Sequence, residues 1–206
     1  DFYWLEEIED GYILAVADCT GHGVPGAMVS VVCNNALNRS VREFGLRKPS
    51  DILDKTRELV IESFSTNSEN VKDGMDISLC TVYKNENRLE YAGAYNPLYL
   101  ITPQGELVHV KGDRQPIGRH KTTTPFTNHE LTFQKGDYIF LFTDGYPDQF
   151  GGNQKGKLKY SRFQDLIKKG ISLTPEEQKI ALNTFFDEWK GDLEQIDDVC
   201  IIGVKL

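Results

Sequence analysis

Hydrophobic positions recur along this chain with two periods, and the switches between them mark its elements. From Tyr12 to Ala17 the residues are bulky or β-branched with almost no polar interruption, the pattern of a largely buried strand. After a glycine-rich turn, Val29, Cys33, Ala36, Leu37, Val41 and Phe44 fall at helical spacing. They predict an amphipathic helix from Pro25 to about Phe44, ended by Gly45. A second helix is expected from Pro49-Ser50 to about Phe64, with Ile52, Leu53, Thr56, Leu59, Val60 and Phe64 on one side, and a polar link runs from Ser65 to Lys72. The period then shortens to that of strands: Ile77 to Tyr83, Arg88 to Ala92, Leu98 to Ile101, Leu107 to Val110, Glu130 to Phe133 and Tyr138 to Thr143. Turn-forming clusters such as Lys84-Asn85-Glu86-Asn87, Thr102-Pro103-Gln104-Gly105 and Lys135-Gly136-Asp137 separate them.

Helical spacing returns from Tyr160 to Lys169. Thr174-Pro175-Glu176-Glu177 is a capping-box start for a longer helix that carries Ala181, Leu182, Phe185, Phe186 and Trp189 inward. Val199 to Val204 closes the chain as a strand. Strand, two helices, a run of strands, two helices and a strand fit helices layered over packed antiparallel sheets, an α+β architecture, better than an alternating βαβ fold.

Length allows one domain: 206 residues enclose a sizeable core, and no interdomain linker interrupts them. The strand-like opening Asp1-Phe2-Tyr3-Trp4 suggests a domain cut from a longer polypeptide. A formal charge of −8 with no basic stripe argues against a nucleic-acid partner. No apolar run approaches a membrane span and the first residues do not read as a signal peptide, so a cytoplasmic domain without membrane contact is expected. The four cysteines, Cys19, Cys33, Cys80 and Cys200, form no CxxC pair. Cys33, Cys80 and Cys200 read as small core residues. Cys19 lies beside acids that would raise its pKa, which favours a backbone role over a nucleophilic one.

Those acids carry the candidate chemistry. Asp18 ends the first apolar run, Asp144 and Asp148 follow the run Tyr138 to Thr143, and Asp197-Asp198 precede the last. Three strand ends bearing acid imply one shared site. Aspartate oxygens without a His or Cys partner at ligand spacing select magnesium or manganese over zinc. Two such ions about 4 Å apart would activate water against a phosphate, the arrangement of metal-assisted phosphoryl transfer. From spacing alone the same acids could serve a nuclease or a passive metal-stabilised fold, and low basicity weighs against the nuclease.

The segments VADCTGHGVPGAMVS, DGMDISLC, AGAYNPLYLI, DRQPIG, FLFTDGYPDQFGG and QIDDVCIIGVKL, in that order, resemble the stage II sporulation protein E-type branch of the bacterial metal-dependent, phosphatase 2C-like protein phosphatases. The resemblance implies an αββα sandwich that removes phosphate from phosphoserine or phosphothreonine at two manganese or magnesium ions, with a third, weaker ion in relatives. By position it makes Asp18 the bridging carboxylate, Cys19 a backbone-carbonyl ligand, Asp144 and Asp197 ligands of the first metal, Asp148 a holder of the third, and Asp1 a direct or water-mediated ligand. Asp18, Asp144 and Asp197 are the catalytic set. Eukaryotic relatives carry Asp-Gly-His where Cys19-Thr20 here precede Gly21-His22, which leaves His22 a loop residue or a general acid. Asp198 is expected to point away from Asp197 into a structural hydrogen bond, and Asp76 to act behind the ligands or in a hydrogen bond of the core. Arg114 and Arg119 are solvated turn residues or phosphate contacts. The resemblance further implies a phosphoprotein substrate such as an anti-sigma-factor antagonist and an upstream sensor module, and it is compatible with a homodimer. A regulatory module that keeps the fold without turnover is the alternative.

Overall fold

Strand β2 (Gly11–Cys19) is the spine of the molecule, and the period-two alternation of its side chains generates the layers. Ile13, Ala15 and Ala17 face one apolar cluster while Leu14 and Val16 face another. On the first side lie helices α1 (Gly23–Arg42) and α2 (Pro49–Phe64), whose Val29, Cys33, Leu37, Ile52, Leu53 and Val60 fill the gap. On the second side lies another sheet. The structure, a computed structural model, describes residues 1–65, 73–153 and 156–206, so most of the expected polar link after Ser65 lies outside the described residues.

β2 pairs antiparallel with β1 (Phe2–Ile8) and β3 (Met75–Tyr83). β4 (Arg88–Ala94) and β7 (His129–Thr132) complete a five-stranded sheet in the order β1-β2-β3-β4-β7. The facing sheet has the order β11-β8-β5-β6, built from β5 (Leu98–Ile101), β6 (Leu107–Val110), β8 (Tyr138–Phe142) and β11 (Ile201–Lys205), again all antiparallel. β8 alternates as β2 does: Ile139 and Leu141 meet the first sheet, while Tyr138, Phe140 and Phe142 turn outward. That outer face is covered by α4 (Tyr160–Gly170) and α5 (Pro175–Lys190) through Phe163, Ile167 and Phe186. Each buried Leu, Ile, Val or Phe side chain contributes about 1.5–3 kcal/mol. The expected αββα sandwich is therefore present, with one apolar layer between each pair of neighbours.

The differences from the sequence-based expectation have local causes. Phe44 is 46% exposed, because α1 stops at Arg42 and Gly45 takes the chain away at φ 68, leaving the ring under the Lys55 ammonium. Ala181 is exposed: its short side chain leaves a gap of about 30 Å³ among Leu166, Ile167 and Gly170. The last strand begins at Ile201 rather than Val199. A four-residue helix α3 (Gly145–Asp148) and a ribbon of β9 (Phe150–Gly151) with β10 (Gly156–Lys157) follow β8, and none of the three has a hydrophobic period. The chain crosses between sheets at Tyr95-Asn96-Pro97, with Tyr95 at φ 58 and the Asn96 carbonyl accepting from the buried Tyr91 hydroxyl at 2.6 Å. Among the described residues no helix is long and apolar enough to cross a membrane.

Candidate metal centre

The same alternation that sorts the core places the acids. Along β2, Asp18 follows Leu14 and Val16 on the face turned toward the second sheet. Along β3, Asp76 shares that face with Cys80 and Val82, and Asp18 and Asp76 are direct cross-strand partners. Both therefore project from the inner face where the sandwich ends. Cys19 turns the opposite way into the helix-covered layer, where the Cys33 thiol donates to its sulfur and lowers its pKa. The expected rise from the neighbouring acids does not occur, because the side chain faces α1. The loop after Cys19 closes tightly, with Gly21 at φ 88 and a Cβ on Gly26 meeting the Gly21 carbonyl oxygen at 2.6 Å.

From the second sheet, Thr143 ends β8 and ties three segments together. Its hydroxyl donates to Asp1 Oδ2 at 2.7 Å and accepts from the Cys200 amide at 3.0 Å, and its own amide donates to the Cys200 carbonyl. Asp144 follows at the start of α3. Gly145 must be glycine, since a Cβ there would stand 1.9 Å from the Asp198 carbonyl oxygen. That close approach brings the Asp144 turn against the Asp197-Asp198 segment. Gln149, fully buried, fixes the same segment: its Nε2 donates to the Glu194 carbonyl and its Oε1 accepts from the Ile196 amide.

Asp1, Asp18, Cys19, His22, Asp76, Asp197 and Asp198 line one cleft of about 690 Å³ at this end of the sandwich. A larger groove of about 920 Å³ runs between edge strands β1 and β11, but its walls are mostly apolar side chains and it holds none of the clustered acids. In the acidic cleft, burial and then the charges of Asp144, Asp197 and Asp76 push the Asp18 carboxyl up to about 7. Asp76 is pushed up to about 7 by burial and Asp144, and Asp144 is raised by burial, Asp148 and Asp197. Carboxylates from the beginning, the later middle and the tail of the chain thus feel one another. Asp144 and Asp148 lie outside the cleft lining. Among the described residues no three acids, His or Cys already stand at ligand spacing. An all-oxygen set with this mutual repulsion suits a hard divalent ion.

Asp197 and Asp198 both line the cleft, and the Asp198 amide donates to Asp197 Oδ1 at 2.8 Å. Asp148 instead holds the Lys157 ammonium at 2.7 Å. Arg114 is exposed and lines none of this cleft, and Arg119 donates to Ser65 Oγ. Motif and spacing do not single out Gln149, Lys157 or Tyr160, the last of which has its pKa pushed up to about 12 by burial and by Asp144 and Asp148. Only the polar character of Gln149 between two apolar segments hints at its role.

Two helix-covered antiparallel sheets with acids at one end define a PP2C-type phosphatase domain. More narrowly, the chain belongs to the family described as Stage II sporulation protein E (SpoIIE), whose sequence profile matches residues 8–206. The SiaA-PP2C domain of Pseudomonas aeruginosa is 31% identical, with 100% of this chain and 80% of that chain covered at a TM-score of 0.90. Two more distant structures share the fold. RsbX in complex with magnesium is 17% identical over 98% of this chain and 84% of that one, with a TM-score of 0.70. The PP2C phosphatase domain of SpoIIE from Bacillus subtilis, with a fragment of its regulatory domain, is 15% identical over 99% of this chain and 56% of that one, with a TM-score of 0.72. No curated protein sequence matches this chain.

Proposed function

We propose that this domain is a divalent-cation-dependent phosphatase that hydrolyses phosphoserine or phosphothreonine in a regulatory protein. The observation that carries the reading is the convergence of Asp18, Asp144 and Asp197 from three distant stretches of chain: burial first, and then the charges of Asp144, Asp197 and Asp76, push the Asp18 carboxyl up to about 7. A phosphoryl dianion cannot approach such a cleft unless cations first neutralise it. Asp1, Asp18, Asp144, Asp197 and the Cys19 carbonyl are the groups that would hold manganese or magnesium. When bound, these ions supply Lewis acidity, drawing charge from phosphoryl oxygens and acidifying water.

The protein's own residues supply placement. Thr143 orients Asp1, Gln149 carries the Asp197 segment, and the glycine approach at Gly145 fixes how near Asp144 lies to that segment. In the reaction a water oxygen bonds to phosphorus as the serine oxygen departs, and the departing oxygen needs a proton. His22 lines the cleft and is exposed at the start of α1, which makes it the candidate donor of that proton. The family setting extends the proposal: the substrate is a phosphorylated protein such as an anti-sigma-factor antagonist, and an upstream sensor module in the natural polypeptide controls the domain, which works in the cytoplasm.

The test is phosphate release from p-nitrophenyl phosphate and from phosphoserine peptides with manganese, comparing the wild type with Asp18→Asn. Release that requires both manganese and Asp18 supports the proposal. The alternative reading is a regulatory module that keeps the fold and the metals without turnover; the intact Asp18, Asp144 and Asp197 count against it. It predicts manganese binding with no release from either substrate.

A further inference from the structure

The resemblance assigns Asp148 to a third, weaker divalent ion, but this chain places a cation of its own there. Lys157 Nζ lies 2.7 Å from Asp148 Oδ2, and among the described residues that ammonium pairs with no second acid. An exposed ion pair alone would mean little. Here the backbone on either side is tied down. The Leu158 amide donates to the Gln149 carbonyl at 3.0 Å and the Lys159 amide to the Pro147 carbonyl at 2.7 Å, so the strap after β10 is hydrogen-bonded onto the turn that carries Asp144 and Asp148. The Leu158 side chain is buried in the layer under α4 and α5. Lys159 has φ 73, a left-handed conformation that a non-glycine residue keeps only where its surroundings dictate it, and such strain collects at functional sites. The strap then delivers Tyr160, whose phenol feels Asp144, Asp148 and Asp76. The field of Lys157 reaches Asp144 as well.

We propose that Lys157 is a resident cation of this centre: its ammonium occupies Asp148, closes that carboxylate to a further divalent ion, and offers its remaining N–H donors to the phosphoryl oxygens of the bound substrate. An ammonium has three donors, and Asp148 takes one. The Lys157 side chain is 46% exposed, so the others are open to an incoming anion. Asp148 then serves as the holder of an ammonium whose field reaches Asp144. The identity of the anion rests on the phosphatase reading above; the occupation of Asp148 does not.

The experiment compares the wild type, Lys157→Met, Lys157→Arg and the double variant Lys157→Met/Asp148→Asn. Manganese is titrated calorimetrically, and binding of radiolabelled orthophosphate to manganese-loaded protein is followed by equilibrium dialysis. Lys157→Met is expected to bind an additional manganese ion, weakly, and the double variant to lose it again. Orthophosphate binding should weaken about tenfold in the double variant, the loss expected for one charge-assisted hydrogen bond, and stay within about threefold in Lys157→Arg. An unchanged manganese count in Lys157→Met would overturn the occupation of Asp148, and unchanged orthophosphate binding in the double variant would overturn the donor role. Wild-type melting temperatures in all variants show that the strap still folds. A wild-type protein that binds manganese but releases no phosphate from any ester would sink the phosphatase reading, while the manganese count would still decide the occupation of Asp148 by Lys157 independently.

Discussion

The space between the two sheets and the rim where it opens are built from the same strands, yet they follow opposite rules. Between the sheets, Leu14, Val16, Cys80, Val82, Ile139 and Leu141 are almost wholly buried and apolar. At the end of β2, just past β8 and at the start of β3, the chain places Asp18, Asp144 and Asp76, each with its carboxyl pKa raised above the usual value. Asp18 and Asp76 even face each other directly across the β2–β3 pair, a like-charged juxtaposition that destabilises a sheet. The interior holds the fold together; the rim gives up part of that stability to a charge arrangement that a bound cation or protonation relieves. Repulsion kept at a strand end is what the proposed cation site requires.

The strongest way to break this contrast is to neutralise the rim at its centre. Asp18→Asn should lower manganese-dependent phosphoester hydrolysis by about a thousandfold, the scale for losing a principal charge-stabilising group. In chelator the same substitution should leave the melting temperature unchanged or raised, because it removes a charge repelled by Asp144, Asp197 and Asp76. Parallel loss of activity and of stability would show that Asp18 is part of the scaffold. The reciprocal change is Leu141→Ala in the interior, expected to cost about 3 kcal/mol of unfolding free energy in denaturant titration. Its manganese affinity should stay near that of the wild type at temperatures where the variant is folded. A fall in affinity comparable to the fall in stability would mean that rim and interior are not separable.

A gentler perturbation is pH. The folded-state pKa values of Asp18 and Asp76 lie above the unfolded carboxylate value, at about 7, so between about pH 4 and 7 the folded protein binds more protons than the unfolded chain. The stability that these two groups contribute to the cation-free protein is therefore highest below the unfolded carboxylate pKa and falls as pH rises through 7. Solvent reaching these half-exposed groups screens the effect. Melting temperatures recorded from pH 4 to 8 should decline in chelator and decline less with manganese, since a bound cation replaces the protons. A cation-free profile that rises across this range would contradict the repulsion described for the rim.

What is legible in the amino acids follows the same division. The interior announces itself through its apolar residues: the unbroken run Tyr12–Ala17 and the helical stripe from Ile52 to Val60 both coincide with the residues that fill the layers. Proline and the Thr174 capping box mark the starts of α2 and α5 to the residue. Where periodicity stops, expectation and structure diverge. Phe44 continues the α1 stripe by spacing, but the helix has already ended. The ribbon Phe150–Lys157 has no hydrophobic period, so nothing in the sequence announces the Lys157–Asp148 pair or the left-handed Lys159. Asp18, Asp144 and Asp197 stand out because each adjoins an apolar run. Asp76 adjoins one too, but only pairing between strands reveals that it stands opposite Asp18.

The smallest expected effect comes from the helix starts, where the same contrast recurs. α5, remote from the acids, opens on a complete capping box: Thr174 accepts from the Glu177 amide, and the Glu177 carboxylate accepts from the Thr174 amide. α1 opens at the rim on His22, extended at φ −136 and ψ 169 as an N-cap residue should be, but making no side-chain capping bond and followed by no acid in its first turn. Thr174→Ala should therefore cost about 1 kcal/mol, whereas His22→Ser should gain up to about 1 kcal/mol, because a hydroxyl there can accept from a first-turn amide. The two signs, read from melting curves, separate a helix start optimised for stability from one that is not. Activity decides why. If the imidazole supplies the proton to the departing serine oxygen, His22→Ser gains stability and loses turnover most on phosphoserine peptides, least on p-nitrophenyl phosphate, whose leaving group needs little protonation. Equal turnover on both substrates would make His22 an ordinary loop residue and leave the uncapped start of α1 without a catalytic reason.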